Sequence, residues 1–193
     1  MPANASDGAF LNIPYDRQFT KLYLAYISGL CAFGPTLRAT LEIPGGDRRL
    51  DRICGLMKDC PYSFHDLSRV QLDRASPRTP RFNMPFEIGL LLGYLSGTDD
   101  RHLWFVFEAR ERRLQKSLSD LDGTDPYIHA GQVRGVFRQL SNALVKSEHQ
   151  PTVRQMYRIY LDVRQAAPLV MRDTGANSLF EAGVFKRLVV TAT

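Results

Sequence analysis

The chain is poor in cysteine, and the few it has do not pair. Cys31, Cys54 and Cys60 make an odd set with no Cys-x-x-Cys spacing. That excludes a disulfide framework and the usual zinc or redox motifs, and it reads as reduced, buried thiols in the cytosol. Long apolar runs are absent too: none reaches the ~18 residues that a membrane span needs. The opening residues, 1–8, lack the cationic start and apolar stretch of a signal peptide. Three nucleotide and hydrolase signatures are also missing. There is no Gly-x-x-x-x-Gly-Lys-Ser/Thr loop, no Gly-x-Gly-x-x-Gly after the first strand, and no Gly-x-Ser-x-Gly elbow. A P-loop NTPase, an ordinary dinucleotide oxidoreductase and a serine hydrolase are thereby disfavoured. No calcium loop forms either. Asp120, Asp122, Gly123 and Asp125 have a suggestive spacing, but the twelfth place holds Gly131 instead of the bidentate glutamate.

What is present describes a folded domain of 193 residues. Hydrophobic residues make up 44% and charged residues 23%, which excludes intrinsic disorder. Twenty-five Lys and Arg face 20 Asp and Glu, for a net charge of +5. This balance permits an anionic partner such as a nucleotide. The basic residues are dispersed at helical spacing and no nucleic-acid motif accompanies them, so nucleic acid is disfavoured as a partner. No cofactor, metal or membrane contact is expected.

Periodicity gives the organisation. Residues 9–13 (AFLNI), 37–43 (LRATLEI), 62–65 (YSFH) and 103–107 (LWFVF) read as strands. Between them, residues 17–33, 47–58 and 85–95 carry apolar residues at 3- and 4-residue steps and read as helices. Residues 67–81 read as a long loop rich in Pro, Arg and Ser. Strand and helix in alternation predict an α/β fold: a flavodoxin-like parallel sheet of four or five strands with helices on both faces. Beyond Glu108 the pattern is helical, with candidates at 110–119, 132–145, 152–166 and 177–186, and the tail at 188–191 is a candidate last strand. The expected division is an α/β domain over 9–146 and a helical extension over 147–193. That extension either packs on the same domain or builds a homo-oligomer.

In such sheets ligands sit beyond the carboxyl ends of the strands. Those ends carry Asn12, Tyr15 and Asp16; Glu42, Gly45 and Gly46; His65, Asp66, Ser68 and Arg69; and Glu108. Glu87 stands out as a carboxylate in an otherwise apolar helix start, four residues after Asn83. Two readings stay open for it. In one, Asn83 caps the helix and Glu87 is a partner of the helix dipole. In the other, Glu87 is functional. Likewise Asp66 and Arg69 read either as a loop ion pair or as site residues, His65 as a core histidine or an acid, and Asn12 and Asp16 as turn formers or ligand contacts. The 117–129 segment reads as an ordered loop, or as a cover whose Tyr127 or His129 meets a base.

The segments Leu11-Asn-Ile-Pro-Tyr-Asp16, His65-Asp-Leu-Ser-Arg69 and Asn83-Met-Pro-Phe-Glu87-Ile-Gly89 resemble the nucleoside 2-deoxyribosyltransferase-like superfamily, which adjoins the TIR domains, some of which cleave NAD. A bacterial family within that group is similar over the whole chain. The resemblance implies a nucleotide or nucleoside ligand, NAD among the candidates, and N-glycosidase or glycosyltransferase chemistry. In it Glu87 would be the carboxylate at the anomeric carbon and Asp66 a proton donor, with Asn12, Tyr15, Asp16, Arg69, Arg81 and Asn83 binding substrate. The transferases carry Asp six residues and Gly four residues before the Glu. Here those places hold Arg81 and Asn83, a change that tilts the expectation from nucleosides toward phosphorylated ligands. The alternative is a non-catalytic nucleotide-binding sensor or signalling module of the same fold.

Overall fold

A computed structural model describes residues 7–42, 48–70, 76–77, 79–98, 101–121, 123–145 and 150–193. Gly45, Gly46, Asp47 and Asp122, singled out in the sequence, lie outside these residues. Five strands, β1 (Gly8–Asn12), β2 (Thr36–Ala39), β3 (Tyr62–Asp66), β4 (Leu103–Glu108) and β5 (Tyr127–Ile128), form one sheet in the order β2-β1-β3-β4-β5. Every pairing is parallel. This is the flavodoxin-like strand order, with its switch point between β1 and β3.

The helices are α1 (Thr20–Phe33), α2 (Arg49–Asp59), α3 (Asn83–Leu95), α4 (Arg113–Ser117), α5 (Val133–Ala143), α6 (Val153–Thr174) and α7 (Ala182–Ala192). Strand alternation divides the core into two faces. Ala9, Leu11, Phe64 and Phe107 face α1 and the helices beyond it. Phe10 faces Ile53, Leu56 and Met57 of α2, while Val106 faces Ile88 of α3 and Leu114 of α4. Helix α1 is apolar nearly all round because it is covered nearly all round, with α5, α6 and α7 packed on its outer sides. At Gly29 its backbone comes so close to α5 that a Cβ would meet Leu140 and Phe137.

Several boundaries differ from the sequence reading. The tail at 188–191 is helix, not strand: Val184, Phe185, Leu188 and Ala192 are buried at helical steps against α1 and α6. The fifth strand is instead Tyr127–Ile128, inside the segment read as a loop, and so short that alternation cannot reveal it. Strand β2 stops at Ala39, where Thr40–Glu42 forms a 3-10 turn tied by the Glu42 carboxylate to the Ala39 N–H at 2.8 Å. Helix α4 covers only 113–117. Helix α6 starts at the predicted place, where Thr152 and Gln155 form a capping box, but it runs through Pro168 to Thr174. The apolar stripe that includes Met156, Tyr160, Val163 and Ala167 carries on past the proline through Val170 and Met171, so packing outweighs the lost backbone bond.

Helix α5 passes close to the chain leaving β5. A Cβ at Gly135 would fall far inside contact distance of the His129 carbonyl oxygen, whereas one at Gly55 in α2 would meet nothing within 4 Å. Gly135→Ala is therefore expected to lose about 1–3 kcal/mol, and Gly55→Ala to gain about 0.5–1 kcal/mol. Thermal unfolding of the two variants beside the parent measures both. A Gly135→Ala protein as stable as the parent contradicts the close approach.

Candidate functional site

The loops after β1 and β3 meet through Asp16. One carboxylate oxygen, Oδ1, accepts the Gln18 and Phe19 N–H groups at 2.9 and 3.1 Å and so caps the 3-10 turn Arg17–Phe19. The other, Oδ2, accepts Arg69 Nε at 3.1 Å and Arg81 Nη1 at 2.6 Å. The sequence candidates Asp16, Arg69 and Arg81 thus come together at the switch point. Both arginines are partly exposed.

Beside it lies a cavity of about 280 Å³ between α2 and α3, lined by Arg49, Leu50, Ile53, Asn83, Phe86 and Glu87. Phe86 stands exposed at this cavity and Phe82 is exposed one turn earlier. Asn83 is not the helix cap: Phe82 occupies that place without a side-chain bond, and Asn83 is the first helical residue. Glu87 accordingly falls in the second turn, away from the strongest part of the dipole. Its side chain is buried, and Oε2 has no hydrogen-bond partner among the described residues. Burial pushes the Glu87 carboxyl up to about 7, with the Arg49 guanidinium pulling the other way. Tyr15 belongs to the same neighbourhood. Its hydroxyl donates to the Leu11 carbonyl at 3.1 Å, and its phenol feels the charges of Glu87, Arg49 and Glu42. Burial keeps that phenol protonated, well above its ordinary range.

Two other candidates are spent inside the fold. Asp66 lies on the α1 face, fully buried, where Oδ2 accepts the Tyr26 hydroxyl at 2.7 Å and His129 Nε2 at 3.0 Å. Its Oδ1 accepts the Ser68 N–H at 2.8 Å. The Gly131 N–H donates to His129 Nδ1, so Nε2 carries the proton and points at both Asp66 and the Ser68 hydroxyl. Asp66 and Ser68 share one ring nitrogen, unlike a catalytic triad, where the nucleophile and the orienting carboxylate take opposite nitrogens of the histidine. This network anchors β5 to β3 and does not reach Glu87, which packs against the other face of the sheet. His129 and Tyr127 are likewise turned inward, with Tyr127 packed on Phe105 and Phe107.

Asn12 is the second. It is buried and donates through Nδ2 to His65 Nδ1 at 2.9 Å. His65 Nε2 then donates to Ser63 at 2.9 Å, and the Ser63 hydroxyl to His102 at 2.7 Å. Burial pushes His65 down to about 3, so it is a neutral core histidine. Glu108 pairs with Arg113 and accepts the Ala109 and Arg110 N–H groups, which orders the chain after β4.

Arg49 was not singled out in the sequence, where it reads as part of a solvated helix face. A signal for it existed. Arg48 and Arg49 open α2, and cations at a helix start oppose the dipole. Among the described residues no three His, Cys, Asp or Glu side chains gather as a metal site, and no helix is long and apolar enough to cross a membrane. A parallel sheet in the 2-1-3-4-5 order, with an arginine–aspartate cluster and, among the described residues, one unpartnered buried carboxylate oxygen at its carboxyl edge, defines a flavodoxin-like α/β protein with a cavity at that edge. Comparisons with family models, curated proteins and solved structures each found no match.

The raised Glu87 carboxyl makes stability depend on pH. The unfolded chain releases this proton near 4.5 and the folded one near 7. Between those values the folded state holds a proton that the unfolded state has lost, so rising pH favours unfolding, and the full cost is present above 7. Glu87→Gln removes it. The stability of the variant relative to the parent should improve by an order of 3 kcal/mol between pH 4.5 and pH 8, read by denaturant unfolding at each pH. A difference that stays flat contradicts the desolvated carboxylate.

Proposed function

We propose that this protein is a nucleotide-directed N-glycosidase or glycosyltransferase-like enzyme in which Glu87 stabilises the anomeric carbon. One observation carries the reading: a buried carboxylate oxygen with no hydrogen-bond partner among the described residues, on the wall of a cavity at the carboxyl edge. N-glycosidic cleavage develops positive charge on the sugar, and a carboxylate beside that carbon stabilises the cation or forms a covalent ester with it. In a site that excludes water such an interaction counts for more than in solution. The cost of burying Glu87 is relieved when a cationic sugar arrives, so the site favours the transition state over the empty cavity.

The surroundings favour one kind of leaving group. A neutral base needs a proton to depart. Among the described residues the side chains that line this cavity include no second carboxylate and no histidine. Asp66, the donor named from the resemblance, is fully engaged on the opposite face. A base that is already cationic on the sugar leaves neutral without an acid, as nicotinamide does from NAD. Arg69, partly exposed and bound to Asp16 through Nε, supports a phosphorylated ligand, because a guanidinium presents a planar fork of donors that suits a phosphate. Arg49 adds a further cation to the cavity wall.

Incubation with NAD and a panel of nucleosides and nucleotides, with products separated by chromatography, tests this. Free base should appear, from NAD before the neutral nucleosides, and Glu87→Gln should slow its release by roughly 10²-fold or more. If no compound releases base while a nucleotide raises the melting temperature, the protein is a non-catalytic nucleotide sensor and the enzymatic reading falls.

A further inference from the structure

A larger cavity lies away from Glu87, where the C-terminal helices meet the start of α1. It is a groove of about 780 Å³ formed by the 3-10 turn, α1, α6 and the 177–180 segment. Its volume is in the range of sites for drug-sized ligands. Leu24, Met171 and Phe180 give it an apolar floor and wall, while Arg17, Lys21 and Arg164 stand exposed around it. Among the described residues no aspartate or glutamate lines the groove, and none pairs with these three cations. The nearby carboxylates are occupied: Asp16 by Arg69 and Arg81, Glu181 by the Asn177 and Ser178 N–H groups, and Asp173 by Arg187. Three like charges around an apolar trough, with no counter-charge of their own, match a ligand that carries an anionic head and an apolar body.

We infer that this groove is a second binding site, specific for an amphipathic organic anion: a carboxylate or phosphate head held by Arg17, Lys21 and Arg164, with an apolar chain or ring system on Leu24, Met171 and Phe180. Both parts of the ligand are needed. An inorganic anion gains only the screened attraction of exposed cations, and a neutral apolar molecule leaves the cations without a partner. The site is independent of chemistry at Glu87.

Titration calorimetry with dodecanoate, kept below its micellar concentration, tests the inference on the full chain. One saturable site is expected. Dodecanol and inorganic phosphate should each bind at least about tenfold more weakly. The double variant Lys21→Ala/Arg164→Ala should weaken dodecanoate by about tenfold or more, with its circular dichroism unchanged because both side chains are exposed. Glu87→Gln and Arg49→Ala should bind dodecanoate as the parent does. Three outcomes overturn the proposal. One is absence of saturable binding, another is equal affinity in the double variant, and the third is loss of binding in Arg49→Ala, which would put the probe in the Glu87 cavity.

Discussion

Enclosure of α1 is the constraint on which the other parts rest. Eleven of its 14 residues are buried, and each side of the helix has its own cover. Tyr26 faces the sheet through Asp66 and Phe107. Gly29 admits α5. Cys31 lies against the Val189 carbonyl of α7, and Tyr23 against Phe180. The buried Ser28 hydroxyl is satisfied within the helix by the Leu24 carbonyl. Burial of each large apolar side chain is worth about 1.5–3 kcal/mol. A helix of this kind left half uncovered would expose much of that surface to water. The helices after residue 150 are therefore part of the same core as the first strand.

The handling of buried polar groups separates scaffold from site. Asn12, Ser63, His65, Asp66, Ser68, Glu108 and His129 are all buried, and every one has a partner at hydrogen-bond distance. Buried polar atoms are costly when left alone, so this pattern is what stability selects. Among the described residues two buried side-chain atoms depart from it, Tyr23 Oη and Glu87 Oε2. The phenol is neutral, so its cost is that of one missing hydrogen bond. The carboxylate adds the cost of an ion in an apolar wall, which is why its proton is held to about 7. A group that stability disfavours, placed on a cavity, is the sort of local conflict that function explains.

Four strands, three of the helices between them and the carboxyl-edge location of the candidates were legible because each depends on local periodicity. What was not legible depends on distance along the chain. Asp66 looks available in sequence, yet its partners Tyr26 and His129 come from α1 and from the loop after β5. Asp16 looks like a turn former, and it is one, but the same carboxylate also gathers Arg69 and Arg81 from remote segments. The strand β5 has two residues and no alternation to detect. The run Leu188-Val-Val-Thr191 favours β structure by composition, and only the apolar steps that begin at Val184 reveal the helix. Glu87 was the exception: a charge in an apolar stretch is visible without knowing the fold, although its missing partner is not.

The segment before the last helix also touches the carboxyl edge of the sheet through aromatic contacts. Phe180 forms a wall of the cationic groove. The same ring packs at 6.2 Å on Tyr15 and at 5.1 Å on Tyr23. Tyr15 in turn sits in the field of Glu87 and Arg49. A tyrosine with its hydroxyl on the Leu11 carbonyl and its ring against an aromatic cluster has little freedom to turn away. The segment that closes one cavity thus fixes a side chain beside the other. Removing the extension would uncover α1 and release Tyr15 together, so the carboxyl edge of the sheet keeps its shape only while the last helices are docked.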